Sequence, residues 1–218
     1  MNTKFLIAPF LAVTTAVGVI AFHPGQAMSE TRLAQLAPAD AAGSYDIDPM
    51  HTSVGFEVGH LGLSKIQGRF NKVSGKVEVD PQDLDKSSVN VTIQTDSVDT
   101  AVAPRDAHLR TADFFEVEKY PTITFKSTKV RKSNDGYIAD GNLTIKDISK
   151  SISIHFKAYG PMKQPKGGAR AGIVAEPLTI NRLDYGVGAA DKLPTGDYAI
   201  SNAITIRLSA EAIQSASN

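Results

Sequence analysis

The stretch Asn134-Asp135-Gly136-Tyr137-Ile138-Ala139-Asp140-Gly141-Asn142-Leu143-Thr144-Ile145-Lys146-Asp147 decides how the rest of the sequence is read. From Tyr137 to Ile145, apolar or small residues at odd positions alternate with a mostly polar even set. That is the period of a strand covered on one face, not of a helix. Asn-Asp-Gly before it and Lys-Asp after it are turn sequences: Gly tolerates positive φ, and Asn and Asp hydrogen-bond their own backbone.

The same period of two continues outward in both directions. Toward the N-terminus the apolar sets are Ile123/Phe125, Val89/Val91/Ile93, Val73/Gly75/Val77/Val79 and Val54/Phe56/Val58. Toward the C-terminus they are Ile152/Ile154/Phe156/Ala158 and Ile200/Ile204/Ile206/Leu208. Asp80-Pro81, Gly160-Pro161 and Pro194-Thr195-Gly196 supply turn signals between runs. About eight one-sided strands between Ser44 and Ile213 predict an all-β domain, either a closed antiparallel barrel or a sandwich. Closure would remove exposed edges, and any edge left open would invite pairing into a homodimer. Ser97–Tyr120 holds Pro104 and lacks the period, which predicts a short helical or irregular cap through His108, Leu109, Thr111, Ala112, Phe114 and Phe115. Gln164–Gly172, basic and Gly-rich, reads as a mobile hairpin loop.

The chain has 218 residues, with 23 Lys+Arg balanced by 23 Asp+Glu, and no Cys. Balanced charge offers no global field for nucleic acid or an anionic membrane. Zero cysteine removes disulfides, thiolate metal sites and Cys nucleophiles. Residues 1–27 read as a secretory signal peptide: Lys4, an apolar run from Phe5 to Phe22, then small residues at Gly25 and Ala27 before the cut. The run is also about long enough for an uncleaved anchor; after cleavage no span of that length remains. Residues 28–43 read as a linker or disordered arm, 44–213 as the strand-rich domain, and 214–218 as a tail.

Chemical motifs are sparse. No P-loop, GxGxxG, GxSxG or HExxH is present. His51 and His60 fall at opposite ends and on opposite faces of one strand pattern, a poor metal spacing, and neither a metal nor another cofactor is implied. The densest polar cluster is Arg105-Asp106 with His108. It reads either as a loop anchored by an Arg–Asp pair or as a polar contact beside an apolar cavity. Inward positions Val54, Phe56, Val58, Phe70, Val77, Val91, Ile93, Phe125, Leu143, Ile154, Phe156, Ile204 and Ile206 either fill a dry core or line a bore, with Leu109, Phe114 and Phe115 as its cap. Many are small, and Gly75 and Gly141 are expected to leave further volume.

Several blocks recur in a familiar order. They are Asp48-Pro49-Met50-His51-Thr52-Ser53-Val54-Gly55-Phe56, His60-Leu61-Gly62, Gly68-Arg69-Phe70, Ser97-Val98-Asp99-Thr100, Arg105-Asp106-Ala107-His108-Leu109, Tyr120-Pro121-Thr122-Ile123-Thr124-Phe125, Gly141–Ile145 and Asn181-Arg182-Leu183-Asp184-Tyr185-Gly186. Taken together they resemble the YceI-like family of exported polyisoprenoid-binding proteins. Thr52 stands where the family usually has Ser, and Asp147 where it often has Gly. The resemblance implies an extended lipocalin-like barrel of eight antiparallel strands around an elongated apolar tunnel. It implies a non-catalytic periplasmic carrier or store for a long isoprenoid lipid, such as a polyprenyl phosphate or an isoprenoid quinone. On this reading the apolar set forms the tunnel, and His51, Arg105, His108 and Arg182 are candidates for contact with a phosphate or quinone oxygen. Two other classes stay open: an enzyme acting on an amphiphile through His108 with Asp106 or Asp184, and a solid barrel whose loops bind a protein.

Overall fold

The structure is a computed structural model that describes residues 41–165 and 168–215. The signal peptide and most of the arm expected from the sequence lie outside the described residues. The strands are β1 (Gly43–His60), β2 (Ser64–Phe70), β3 (Val73–Val79), β4 (Ser88–Gln94), β5 (Val98–Asp99), β6 (Thr122–Lys132), β7 (Tyr137–Ile145), β8 (Ile148–Lys163), β9 (Ala169–Ala175), β10 (Leu178–Asn181) and β11 (Ile200–Gln214), with one helix, α1 (Ala103–Arg110), between β5 and β6. Ala41 is buried and β11 runs to Gln214, so the folded part extends slightly beyond 44–213 at both ends.

All pairings are antiparallel, and β11 closes on β1, so the sheet is a barrel and the sandwich alternative falls away. Eleven hydrogen-bonded segments build eight staves, because three staves are interrupted. β2 pairs with the second half of β1 (Val58↔Ile66) and β3 with the first half (Tyr45↔Val77), making one broken stave. β4 and β5 form the next, bent by a short 3-10 turn over Thr95–Ser97. Ser97 Oγ holds that bend, donating to Gln94 O at 2.6 Å and accepting from Lys72 N at 3.0 Å. β9 and β10 both pair with β11 and are split at Glu176-Pro177, where proline has no N–H for a ladder.

Two turn expectations fail. Gly160-Pro161 does not end a strand; β8 runs through it with a register shift between Tyr159 and Met162, so the disruption is a bulge. Ala169–Gly172 belongs to β9, which leaves 164–168 as the connection. The Asn134-Asp135-Gly136 turn does join β6 to β7, with Lys132 opposite Tyr137. The glycine expectation also fails. A Cβ on Gly75 would lie 2.9 Å from Ile47 Cδ1, and one on Gly141 would lie 2.7 Å from Phe125 Cζ and 2.5 Å from Lys126 O. Neighbouring atoms already use that space.

Burial follows the alternation. Val54, Phe70, Val73, Val98, Ile123, Phe125, Leu143 and Ile145 form the larger buried cluster toward the α1 end. Tyr45, Val77 and Ala212 form a smaller one at the opposite end.

Candidate ligand-binding bore

Residues of both clusters border a hollow interior. A cavity of about 440 Å³ runs from Ile47, Val77 and Ala212 at one end to His60, Leu109, Phe115 and Ile200 at the other. From Ile200 to Ala212 along β11 is ~40 Å of strand, or ~30 Å along the axis at the usual barrel tilt. The void is therefore long and thin, and its volume falls in the range that holds one small-molecule ligand. Its wall is almost wholly aliphatic and aromatic, because every stave turns the apolar half of its period-two pattern inward.

Each of the apolar positions singled out from the sequence faces this void: Val54, Phe56 and Val58 from β1, Phe70 from β2, Val77 from β3, Val91 and Ile93 from β4, Phe125 from β6, Leu143 from β7, Ile154 and Phe156 from β8, Ile204 and Ile206 from β11, and Leu109, Phe114 and Phe115 from the cap. Val91, Phe125 and Leu143 are direct neighbours across β4, β6 and β7 and form one rung of the wall. The void also meets Ile66 on β2 and Leu178 and Ile180 on β10, which were not singled out. The signal was there to read: on β2, Ile66, Gly68 and Phe70 alternate with Lys65, Gln67 and Arg69, and on the four-residue β10, Leu178/Ile180 against Thr179/Asn181 is the same pattern in miniature.

The cap is fixed by polar groups that converge on Thr100. Buried Asp106 Oδ1 accepts from Thr100 N at 2.9 Å and from the Thr100 hydroxyl. Arg105 Nε donates to Thr100 Oγ1 at 2.7 Å and Nη2 to Thr100 O at 2.8 Å. Arg105 and Asp106 therefore clamp a common residue rather than each other. Arg110 adds Nε to Asp96 O and Nη2 to Val98 O, both at 2.7 Å. Beyond the helix, Phe115 packs edge-on against Phe70 at 5.6 Å.

The candidate polar residues separate. Arg105, His108 and Arg182 reach the cavity wall; His51 does not. His51 Nδ1 sits 2.7 Å from Asp48 Oδ2 on the bulge of β1 between Asp48 and Ser53, with its side chain mostly exposed. His51 therefore stands apart from the wall that the other three candidates reach. Arg170 Nη1 donates to Asp48 Oδ2 and Glu211 Oε2, both at 2.6 Å. Asp48, His51 and Glu211 bring ligand atoms within 4.8 Å of one another, but the guanidinium already holds both carboxylates, so the protein supplies its own cation there. Hydrogen bonds from His51 and then Arg170 hold the Asp48 carboxyl well below its usual range, at about 2.

Arg182 is only 5% exposed and does not pair with Asp184, whose nearest cation is Lys150 at 3.6 Å. It donates to four carbonyls: Nε to Ser201 O, Nη1 to Val187 O, and Nη2 to Ala189 O and Ile200 O. Burial lowers its pKa from the ordinary arginine value, and the carbonyl dipoles compensate the charge. It ties the 182–189 segment to β11 at the end of the bore. His108 Nε2 pairs with Asp113 Oδ2 at 2.9 Å in an exposed position, not with Asp106 or Asp184. The His–Asp partners named for the enzymatic alternative are thus engaged elsewhere.

At the other end, Tyr45 is fully buried and its hydroxyl finds no hydrogen-bond partner among the described residues. Burial raises its pKa. Tyr45 borders a second, smaller cavity of about 80 Å³ that shares Val77, Val89, Phe156, Ile173 and Ala212 with the first. No helix among the described residues is long and apolar enough to cross a membrane.

Comparison with known proteins gives concordant matches. The YceI-like domain model matches residues 45–212. A UPF0312 protein of Pectobacterium atrosepticum is 39% identical over 164 residues, covering 73% of this chain and 85% of that protein. One of Pseudomonas aeruginosa is 38% identical over 174 residues, covering 79% and 84%. The Campylobacter jejuni YceI protein matches with TM-score 0.60 at 30% identity, covering 72% of this chain and 90% of that one. A polyisoprenoid-binding domain from Saccharophagus degradans shares the fold at 15% identity, TM-score 0.58, covering 78% and 98%.

Proposed function

The chain belongs to the YceI-like family, and from that membership and the hollow barrel we propose that it is a non-catalytic carrier or store for one long-chain isoprenoid lipid, a polyprenyl phosphate or an isoprenoid quinone. The observation that carries this reading is the elongated apolar cavity of about 440 Å³. The polyisoprenoid-binding domain of the same fold supports the ligand class. A prenyl chain hiding roughly 500 Å² would gain about 12 kcal/mol gross at 25 cal/mol per Å². Loss of translation, rotation and chain freedom takes back several kcal/mol or more. Micromolar or tighter binding then needs no strong polar contact, so the wall sets affinity and the rim sets head-group preference. Arg105 and His108, which reach the cavity wall, are our candidates for meeting a phosphate or quinone oxygen, while Arg182 serves chiefly as a strut. The apolar leader over residues 1–27 fits export, and the periplasm is the proposed compartment.

Organic extraction of the protein purified from its native cells, followed by mass spectrometry, tests the proposal. The expected result is a stoichiometric prenyl lipid. Repeatedly clean extracts, together with no uptake of added prenyl lipid, would favour a barrel that works through its outer loops.

A further inference from the structure

At the α1 end of the bore, the β1–β2 hairpin exposes two leucines in succession around a glycine. Leu61 is 39% and Leu63 is 84% exposed. The turn is tight: Leu63 N donates to His60 O at 3.0 Å, with Leu61 at φ 53 and Gly62 at φ 69. That geometry suits Asn-Gly, whereas a leucine in the left-handed region is strained. Leu61 N also donates to Ala199 O at 2.8 Å, which fixes the tip against the neighbouring loop. A third apolar side chain joins this end. β5 pairs Asp99 with Arg69, so the chain beyond Asp99 runs in the direction of the hairpin tip, and Val102 on it is 42% exposed.

We propose that the Leu61-Gly62-Leu63 tip inserts into a phospholipid bilayer and holds the mouth of the bore at the membrane surface. Two or three protruding side chains are far too little area for a stable protein complex. They suit a weak, reversible interfacial contact, whose strength scales with the apolar area inserted. The tip is continuous with the bore through His60, which lines the cavity one residue before Leu61. Lys65 beside the tip is already paired with Glu57 at 2.7 Å, so attachment draws on apolar contact rather than on a basic patch. This inference rests on the carrier reading for its purpose but not for its test.

The chain contains no cysteine, so one introduced thiol labels one place. An environment-sensitive dye on Ser64→Cys reports the tip with both leucines intact, and the same dye on Asn134→Cys reports the β6–β7 hairpin at the opposite end. With phosphatidylcholine vesicles and with phosphatidylethanolamine–phosphatidylglycerol vesicles, the tip dye should shift to the blue and be quenched by bilayer-borne quenchers, with little dependence on salt. The dye at 134 should not respond. Adding Leu61→Ser and Leu63→Ser should weaken partitioning on the order of a hundredfold. No shift at the tip, an equal shift at 134, loss of the signal on adding salt, or undiminished binding by the double variant would overturn the proposal. Extracted lipid from the same double variant separates the two ideas. Retained prenyl lipid with lost vesicle binding supports the tip as an anchor distinct from the bore, whereas absence of lipid from every variant counts against the carrier and leaves the vesicle result standing.

Discussion

Val91→Trp puts the hollow interior to its hardest test. Val91 points into the bore from β4, directly beside Phe125, which in turn neighbours Leu143. An indole there would obstruct the void about midway, between the Ile93, Ile123 and Phe115 side and the Ile47, Val77 and Val89 side. If half of a roughly 500 Å² ligand surface is denied its wall, about 6 kcal/mol of gross apolar burial is lost. Partial rerouting of a flexible chain recovers some of this, and a net loss of even ~2–3 kcal/mol weakens binding by about 30- to 150-fold. Folding should suffer less, since overpacking costs ~1–3 kcal/mol in a filled core and the indole enters open volume here. Occupancy is read by extraction and mass spectrometry, affinity by displacement of a fluorescent prenyl probe, and stability by urea unfolding. A variant that folds normally and binds as tightly as the parent would refute the wall assignment, and Leu143→Trp on the same rung should agree.

Three further outcomes follow from particular contacts. The Asp48 carboxyl is held at about 2 when folded, below its unfolded value, so its contribution of about 2 kcal/mol is complete above pH ~5 and lost as pH falls toward 2; urea unfolding should show this acid limb and Asp48→Asn should flatten it, while identical limbs would remove Asp48 as its source. Asp106→Ala strips two bonds from buried Thr100 and should cost on the order of 2–3 kcal/mol, with faster amide exchange in α1 while the strands keep their protection; unchanged exchange in α1 would show that other contacts hold the cap. Tyr45→Phe removes a buried hydroxyl that has no partner among the described residues and should be neutral or stabilising by up to ~1 kcal/mol, so a loss larger than that in calorimetry would mean the hydroxyl is satisfied.

The staves were legible because a one-sided strand writes its parity into the sequence: once Leu143 is assigned inward, Ile145 and Ala139 follow, and the apolar wall comes with the fold. What sequence pattern hides are interruptions and long-range polar partners. Gly160-Pro161 looks like a turn because those residues favour turns, yet β8 absorbs it as a bulge. Arg170 and Asp48 lie 122 positions apart and meet only when β11 closes on β1. Nothing local distinguishes Asp113 from Asp106 as the partner of His108, because Thr100 claims Asp106 first. Arg182 and Asp184 are near in sequence, but four carbonyls from the closing strand and its loop outcompete one partly exposed carboxylate.

An eight-stranded barrel is only just wide enough for its own side chains or one slender guest, so a bore lined by several phenylalanines needs a reason to stay open. The glycines supply it, in the opposite sense from that expected of them. A Cβ on Gly141 would collide with the Phe125 ring, one on Gly68 with the Phe56 and Thr100 side chains, and one on Gly188 with the Phe114 ring at 2.9 Å. The Phe125 and Phe56 rings therefore lie against bare strand backbone and Phe114 against a bare loop, and a methyl group at any of the three would force the ring away from it. Gly141→Ala should accordingly do two separable things. It should destabilise by ~1–3 kcal/mol, since Lys126 O as well as the ring must yield. It should also reduce the affinity for a prenyl probe, because Phe125 can retreat from the new methyl only into the cavity that it lines. Adding Phe125→Leu should restore much of the probe affinity, since a smaller side chain retreats without closing the bore; if the double variant binds no better than Gly141→Ala alone, the ring is not what narrows the path.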